Sequence, residues 1–156
     1  MWERIRSQSR SKAMTGCLGA LLIYLLVSGQ PSSAQQNFVM IVNAANPATT
    51  ISEAELARLF LKKSAQWPDG TRAEPVDLGA SSAVRGRFSQ AIHGKDTGAI
   101  KAYWQKMIFS GREVPPPELA SAAEVVSFVA THRGAVGYVG EGTNLGERVK
   151  VIRVTQ

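Results

Sequence analysis

Apolar and polar residues recur along the chain with periods that change from segment to segment, and those periods predict its elements. FVMIVN, 38–43, is apolar almost without interruption. Such a run predicts a strand covered on both faces, as in a parallel sheet flanked by helices. Asn46-Pro47 ends it. In ISEAELARLFL, 51–61, apolar residues return every three or four positions, so the segment reads as a helix burying Leu56, Leu59 and Phe60. Ser52 stands as its N-cap and Glu55 completes a capping box, with Ile51 placed to staple onto Leu56. WPDG, 67–70, has the Pro and Gly positions of a tight turn.

A second strand is expected over about 74–78, leading into a helix with Val84, Phe88, Ala91 and Ile92 on one side and a stop at Gly94. The next helix begins near Asp96 or Thr97, carries Ile100, Tyr103, Trp104, Met107 and Ile108 at helical spacing, and ends at Gly111. Pro115-Pro116-Pro117 enforces an extended connector. The last helix spans about 122–132, with Ser121 and Glu124 as a second capping box and Val125, Phe128 and Val129 inward. Gly134 is placed as its C-terminal stop. AVGYV, 135–139, and VKVIRV, 149–154, read as strands around the glycine-rich EGTNLGE. The order β-α-β-α-α-α-β-β predicts an α/β domain built on a mixed sheet flanked by helices.

Charge and composition set the first 34 residues apart. Arg4, Arg6, Arg10 and Lys12 face a single Glu3, the apolar run Cys17–Val27 follows, and Ser32 and Ala34 are small residues at the positions a cleavage site needs. The segment reads as a secretory signal peptide cut after Ala34. Its apolar run of about 11 residues is short of the roughly 20 a spanning helix requires. Cys17 opens that run rather than following it, which is the wrong order for a lipoprotein. Residues 35–156 are then a single exported domain with no cysteine, stabilised by its core. Setting aside the four bases and one acid of 1–34 lowers the formal charge from +6 to +3, too little to argue for nucleic acid.

The candidate chemistry lies in VDLGASSAVRGRF, 76–88. Ser81 and Ser82 stand where a helix should start, and Arg85 falls in its first turn, where the helix dipole already presents positive charge. Free N–H groups at a helix start bind oxyanions, and a hydroxyl and an Arg fork strengthen such a site. Gly79, Ala80, Ser81, Ser82, Ala83, Val84 and Arg85 are therefore candidate oxyanion ligands. The plainer alternative makes Ser81 or Ser82 a cap and pairs Arg85 with a carboxylate such as Asp77.

Other chemistries fit less well. GASSA resembles a degenerate nucleophile elbow, with Asp96 and His132 following Ser81 in the order of a triad, but Ala83 stands where the elbow has Gly. Both histidines directly precede a break, where they serve the helix dipole. Gly94-Lys95 is followed by Asp96 and lacks the first glycine of a phosphate loop. No cysteine accompanies His93 and His132, so neither a zinc site nor a cofactor is expected. Trp67 and Trp104 read as core rather than pocket lining. Lys62, Lys63, Arg85, Arg87 and Arg112 could present a surface to a protein partner.

Several of these segments together resemble the solute-binding proteins of phosphate ABC transporters: FVMIVN, ISEAELARLFLKKSAQWPDG, the strand-turn-helix around Ser81–Phe88, AYWQKMIFSG and SAAEVVSFVATHRGAVGYV. The resemblance covers most of 38–154 and implies one lobe of a type II periplasmic binding-protein fold, at less than half the usual two-lobed length. It implies a non-catalytic periplasmic protein whose partners are phosphate or another small oxyanion, a transporter membrane component, and a second lobe or a second copy of the chain. In the family a Ser-Gly-Thr run opens the ligand-binding helix, after an Arg and an Asp that contact phosphate. The matching stretch here carries over one hydroxyl, at Ser82 or Ser81, while the Thr position is Val84 and the Arg position falls near Leu78. A protein-interaction module with no small ligand is the alternative.

Overall fold

The computed structural model describes residues 38–156. The leader expected over 1–34 and its cleavage point lie outside the described residues. The described residues fall within one compact unit on their own contacts.

Strand β1, Phe38–Asn43, is the middle of a five-stranded sheet of order β2-β7-β1-β6-β3. Here β2 is Thr50–Ser52, β3 Glu74–Pro75, β6 Ala135–Gly140 and β7 Val149–Thr155. β1 runs antiparallel to both neighbours, β6 and β7, and β2 and β3 join the edges in parallel. The sheet is mixed, as the order of elements predicts. Continuous apolarity in FVMIVN correctly signals cover on both faces, but it carries no information about neighbour direction.

Two helices cover one face and a third covers the other. Helix α1, Glu53–Phe60, has its capping box intact: Ser52 Oγ accepts from Glu55 N–H, and Ser52 N–H donates to Glu55 Oε2. It buries Leu56, Leu59 and Phe60. Helix α2, Ala83–His93, ends in Gly94 at φ +60°. Phe60 and Phe88 from these helices meet Phe38 and Tyr138 of the sheet, and Phe88 stacks on Tyr138 with centroids 3.9 Å apart. Helix α4, Ala122–Thr131, covers the opposite face with Val125 and Val129 fully buried. Asn43 ties it down by donating from Nδ2 to the Val129 and Ala130 carbonyls, which lie in its unsatisfied last turn. Helix α3, Thr97–Phe109, is capped by Asp96 and buries only Ile100 and Trp104. It packs on α2 at the margin of the domain.

The strand expected over 74–78 is divided. Its first half, β3, pairs with β6, and its second half, β4 (Asp77–Leu78), pairs in parallel with β5 (Glu118–Leu119). Val76 N–H still donates to Val136 O, whereas Asp77 N–H donates to Pro117 O, so the change of partner falls between them. Gly134 differs from its expected role. His132 is the cap of α4, in extended conformation, and Gly134 is needed because a Cβ there would lie 1.9 Å from Arg72 O. The second capping box is also altered: Ser121 Oγ caps Glu124 N–H, but the Glu124 carboxylate accepts from Ala120 N–H.

Candidate functional site

The change of partner at β4 delivers the chain to the α2 start. Gly79 N–H donates to Leu119 O, Ser82 N–H returns to Gly79 O, and the chain turns through Ala80 and Ser81 into the helix. Ser82 is the N-cap, extended at φ −69° and ψ 125°, and its Oγ accepts a long 3.4 Å bond from Arg85 N–H. The amides of Ala80, Ser81, Ala83 and Val84 have no partner among the described residues. Ala80, Ser81 and Ala83 are exposed, and Gly79, Ser82 and Val84 are half-buried. Six of the seven candidate residues thus form one open turn.

Arg85 is the exception. It is 5% exposed and turned into the protein. Its Nη2 lies 3.1 Å from Asp77 Oδ2, and its Nη1 lies 2.6 Å from both Glu118 Oε1 and the Leu78 carbonyl. Charge that the sequence offers to an external anion is already opposed by two carboxylates. Tyr138 OH and Leu78 N–H both donate to Asp77 Oδ1, extending the network to β6. Burial holds the Asp77 carboxyl above the usual range, against the opposing pull of Arg85 and the Tyr138 hydrogen bond. Burial, then the neighbouring Asp77 charge, pushes the Tyr138 hydroxyl up as well. His93, at the far end of α2, is pushed down to about 4 by burial first and then by the Arg85 and Lys63 charges.

Sequence reasoning missed two participants. Glu118 follows the triple proline, and only the β4–β5 pairing places it on Arg85. Lys101 lines a groove of about 410 Å³ together with Ala80, Arg85, Trp104, Ile108 and Glu118. It is exposed and carries positive charge in the groove that Ala80 of the turn also lines. Its position two turns before the end of α3 could have revealed it only once α3 was known to pack on α2. A second hollow, of about 320 Å³, lies between β2, α1 and the 67–70 turn and includes Glu55 and Asp69. Two carboxylates make it a poor place for an anion.

The other sequence candidates are drawn into local structure. Asp96 Oδ1 caps Ala99 N–H, and His132 Nδ1 lies 2.9 Å from Phe128 O with its ring stacked on Phe128. No hydrogen bond joins either to Ser81 among the described residues. Trp67 is buried and donates to Gly134 O, and Trp104 is buried against the domain. Among the described residues no group of His, Cys, Asp and Glu has metal-site geometry, and no helix is long and apolar enough to cross a membrane.

No family model and no curated protein sequence matches the chain. Solved structures do. An ABC-type phosphate transport receptor from Vibrio cholerae superposes with TM-score 0.59 and 21% identity, over 76% of this chain and 46% of the receptor. A substrate-binding protein assigned to a phosphate ABC transporter in Clostridium perfringens, with bound phosphate, gives TM-score 0.59 and 15% identity over 76% and 44%. PstS from Borrelia burgdorferi gives 0.53 and 16% over 76% and 47%. The chain has the fold of these binding proteins, and it spans less than half of their length.

Proposed function

We propose that the chain is a non-catalytic, solute-binding-like lobe of an export compartment that holds phosphate or a similar small oxyanion weakly at the start of α2. The observation that carries this reading is the open turn at 80–84, where four amides have no partner among the described residues and the Ser81 and Ser82 hydroxyls stand on exposed and half-buried residues beside them. Ser82 Oγ uses a lone pair on the Arg85 amide, which leaves its proton free for an anion. Lys101 supplies the accessible positive charge, and Arg85, balanced by Asp77 and Glu118, serves chiefly to hold the turn to β4 and β5. One open face with little free charge predicts millimolar affinity.

On this reading the leader of residues 1–34 exports the domain, and tighter binding needs a second lobe, from another chain or a second copy. A transporter membrane component is the corresponding partner. The double compensation of Arg85 favours one alternative, a protein-interaction module that has lost its small ligand.

The test is titration calorimetry of residues 35–156 with phosphate, with sulfate as control and Ala83→Pro as the comparison. Ala83 is the first helical residue and Ser82 is already extended, so proline removes one amide donor and leaves the helix intact. Millimolar phosphate heat that weakens in Ala83→Pro supports the site. A folded sample silent to phosphate at tens of millimolar overturns it, and the ligand-free module then replaces it.

A further inference from the structure

The C-terminal end of α3 exposes apolar side chains that the fold does not use. Phe109 is 89% exposed, Val114 58% and Ile108 49%. Phe109 is the last residue of the helix, after which Gly111, at φ +66°, reverses the chain. Its amide returns to Ile108 O, and Arg112 N–H returns to Met107 O. The turn is therefore well formed, and its apolar tip projects from it. Large apolar groups left on a folded surface in this way mark an interaction site.

The surrounding charge is mainly positive. Lys106 and Arg112 are exposed at this end of α3, Lys101 is exposed nearer its start, Lys63 is exposed on a neighbouring loop, and Glu113 is the one acid of 97–114. Lys63 lies over the Tyr103 ring, 6.0 Å from its centroid, which fixes the 62–63 loop to the same helix. Glu113, the nearest carboxylate in sequence, is paired with Lys62 at 3.5 Å. A second copy of the chain would bring these cations against each other, so the occupant is anionic.

Shape separates the two anionic classes. A protein interface of standard size draws on roughly 20–30 residues a side around a buried centre. Here three apolar side chains stand out on a tip ringed by cations, which needs no complementary surface and suits insertion among lipid headgroups. We infer that the Ile108–Val114 tip docks on an anionic phospholipid surface, with Phe109 inserted and Lys106 and Arg112 against the headgroups. This surface adjoins the groove beside the turn at 80–84, which Ile108 and Lys101 also line, but vesicle binding through Phe109 and phosphate binding at the turn are read by different experiments, so neither inference depends on the other.

Residues 35–156 are sedimented with vesicles of phosphatidylcholine alone and of phosphatidylcholine and phosphatidylglycerol in equal parts. Binding is expected to the anionic vesicles only, and to fall with added salt. Lys106→Ala and Arg112→Ala should each weaken it by about fivefold, the worth of one cation near such a surface. Phe109→Ala should weaken it by about tenfold, the loss of one inserted aromatic. In Phe109→Trp, the added indole's emission should shift to the blue on binding, above a background from the buried Trp67 and Trp104. Phe109 is almost fully exposed, so these variants retain the fold. No sedimentation with anionic vesicles at low salt overturns the inference. So does binding that Phe109→Ala leaves unchanged, and so does an acidic protein that engages the tip while vesicles do not.

Discussion

The Arg85 guanidinium lies 3.1 Å from the Asp77 carboxylate with 6% and 9% of the two side chains exposed, so the cation at the mouth of the candidate site is an internal strut. A buried pair adds little over an apolar replacement, but removing one member strands the other. Arg85→Ala should lower unfolding free energy by about 3–5 kcal/mol. Glu118→Gln, at a half-exposed carboxylate, should cost less than about 1 kcal/mol. Urea denaturation of the two variants checks both figures. A small loss in Arg85→Ala would mean that the network is not a structural element.

His93 makes stability depend on pH. In the unfolded chain it takes up a proton near 6.5, and in the folded chain only at about 4. Between those values the unfolded state holds more protons, so this contribution is full above 6.5 and drains away as pH falls toward 4. Asp77 works in the opposite sense. Its folded value is raised above 3.8, so its contribution is full below 3.8 and is lost as pH rises from there through the higher folded value. His93→Gln isolates the histidine: melting temperatures from pH 7 to pH 4 should fall less steeply in the variant. Parallel curves would show that His93 gains its proton equally in both states.

Two glycines should resist substitution for steric reasons. A Cβ on Gly134 would lie 1.9 Å from Arg72 O, and one on Gly137 2.7 Å from Val125 Cγ1. The first contact is with backbone and the second with a side chain that fixes α4 to the sheet. Each Ala variant should lose about 1–3 kcal/mol, with Gly134→Ala the worse because backbone yields least. Thermal melts compare them with Gly86→Ala, whose added Cβ meets nothing within 4 Å.

Much of the fold was legible because its signals are local. The Ser52–Glu55 capping box, the stop at Gly94 and the buried triad Leu56, Leu59 and Phe60 each depend on a few neighbouring residues. Parallel pairing of Thr50–Ser52 with β7 and of Glu118–Leu119 with β4 was not legible, since strands of two or three residues carry no period. The antiparallel setting of β1 was hidden for a related reason, because an apolar run records cover and not direction. At the candidate site, the Ser82 cap and its turn follow from GASSA. The pairing of Arg85 with Asp77, eight positions away, was open to the sequence as the plainer alternative, whereas Glu118, 33 positions away, reaches Arg85 only through the β4–β5 pairing.

Val84 offers the most direct gain-of-function test of the 80–84 turn. The resemblance to phosphate-binding proteins places a threonine at this position, and here the side chain is a half-buried valine of nearly the same shape. Val84→Thr therefore adds one hydroxyl donor at the second helical residue, at some loss of apolar packing where Val84 meets the core. A hydrogen bond to a charged acceptor contributes about 1.5–3 kcal/mol, so phosphate affinity should rise by about tenfold or more if the anion sits against this turn. The effect should disappear when Ala83→Pro is added, because the proline withdraws the adjacent amide and displaces the ligand from the new hydroxyl. Calorimetry on the two single variants and the double variant reads this coupling directly. An affinity unchanged by Val84→Thr, in a protein that still binds phosphate, would place the anion elsewhere, with the groove beside Lys101 as the next location to probe.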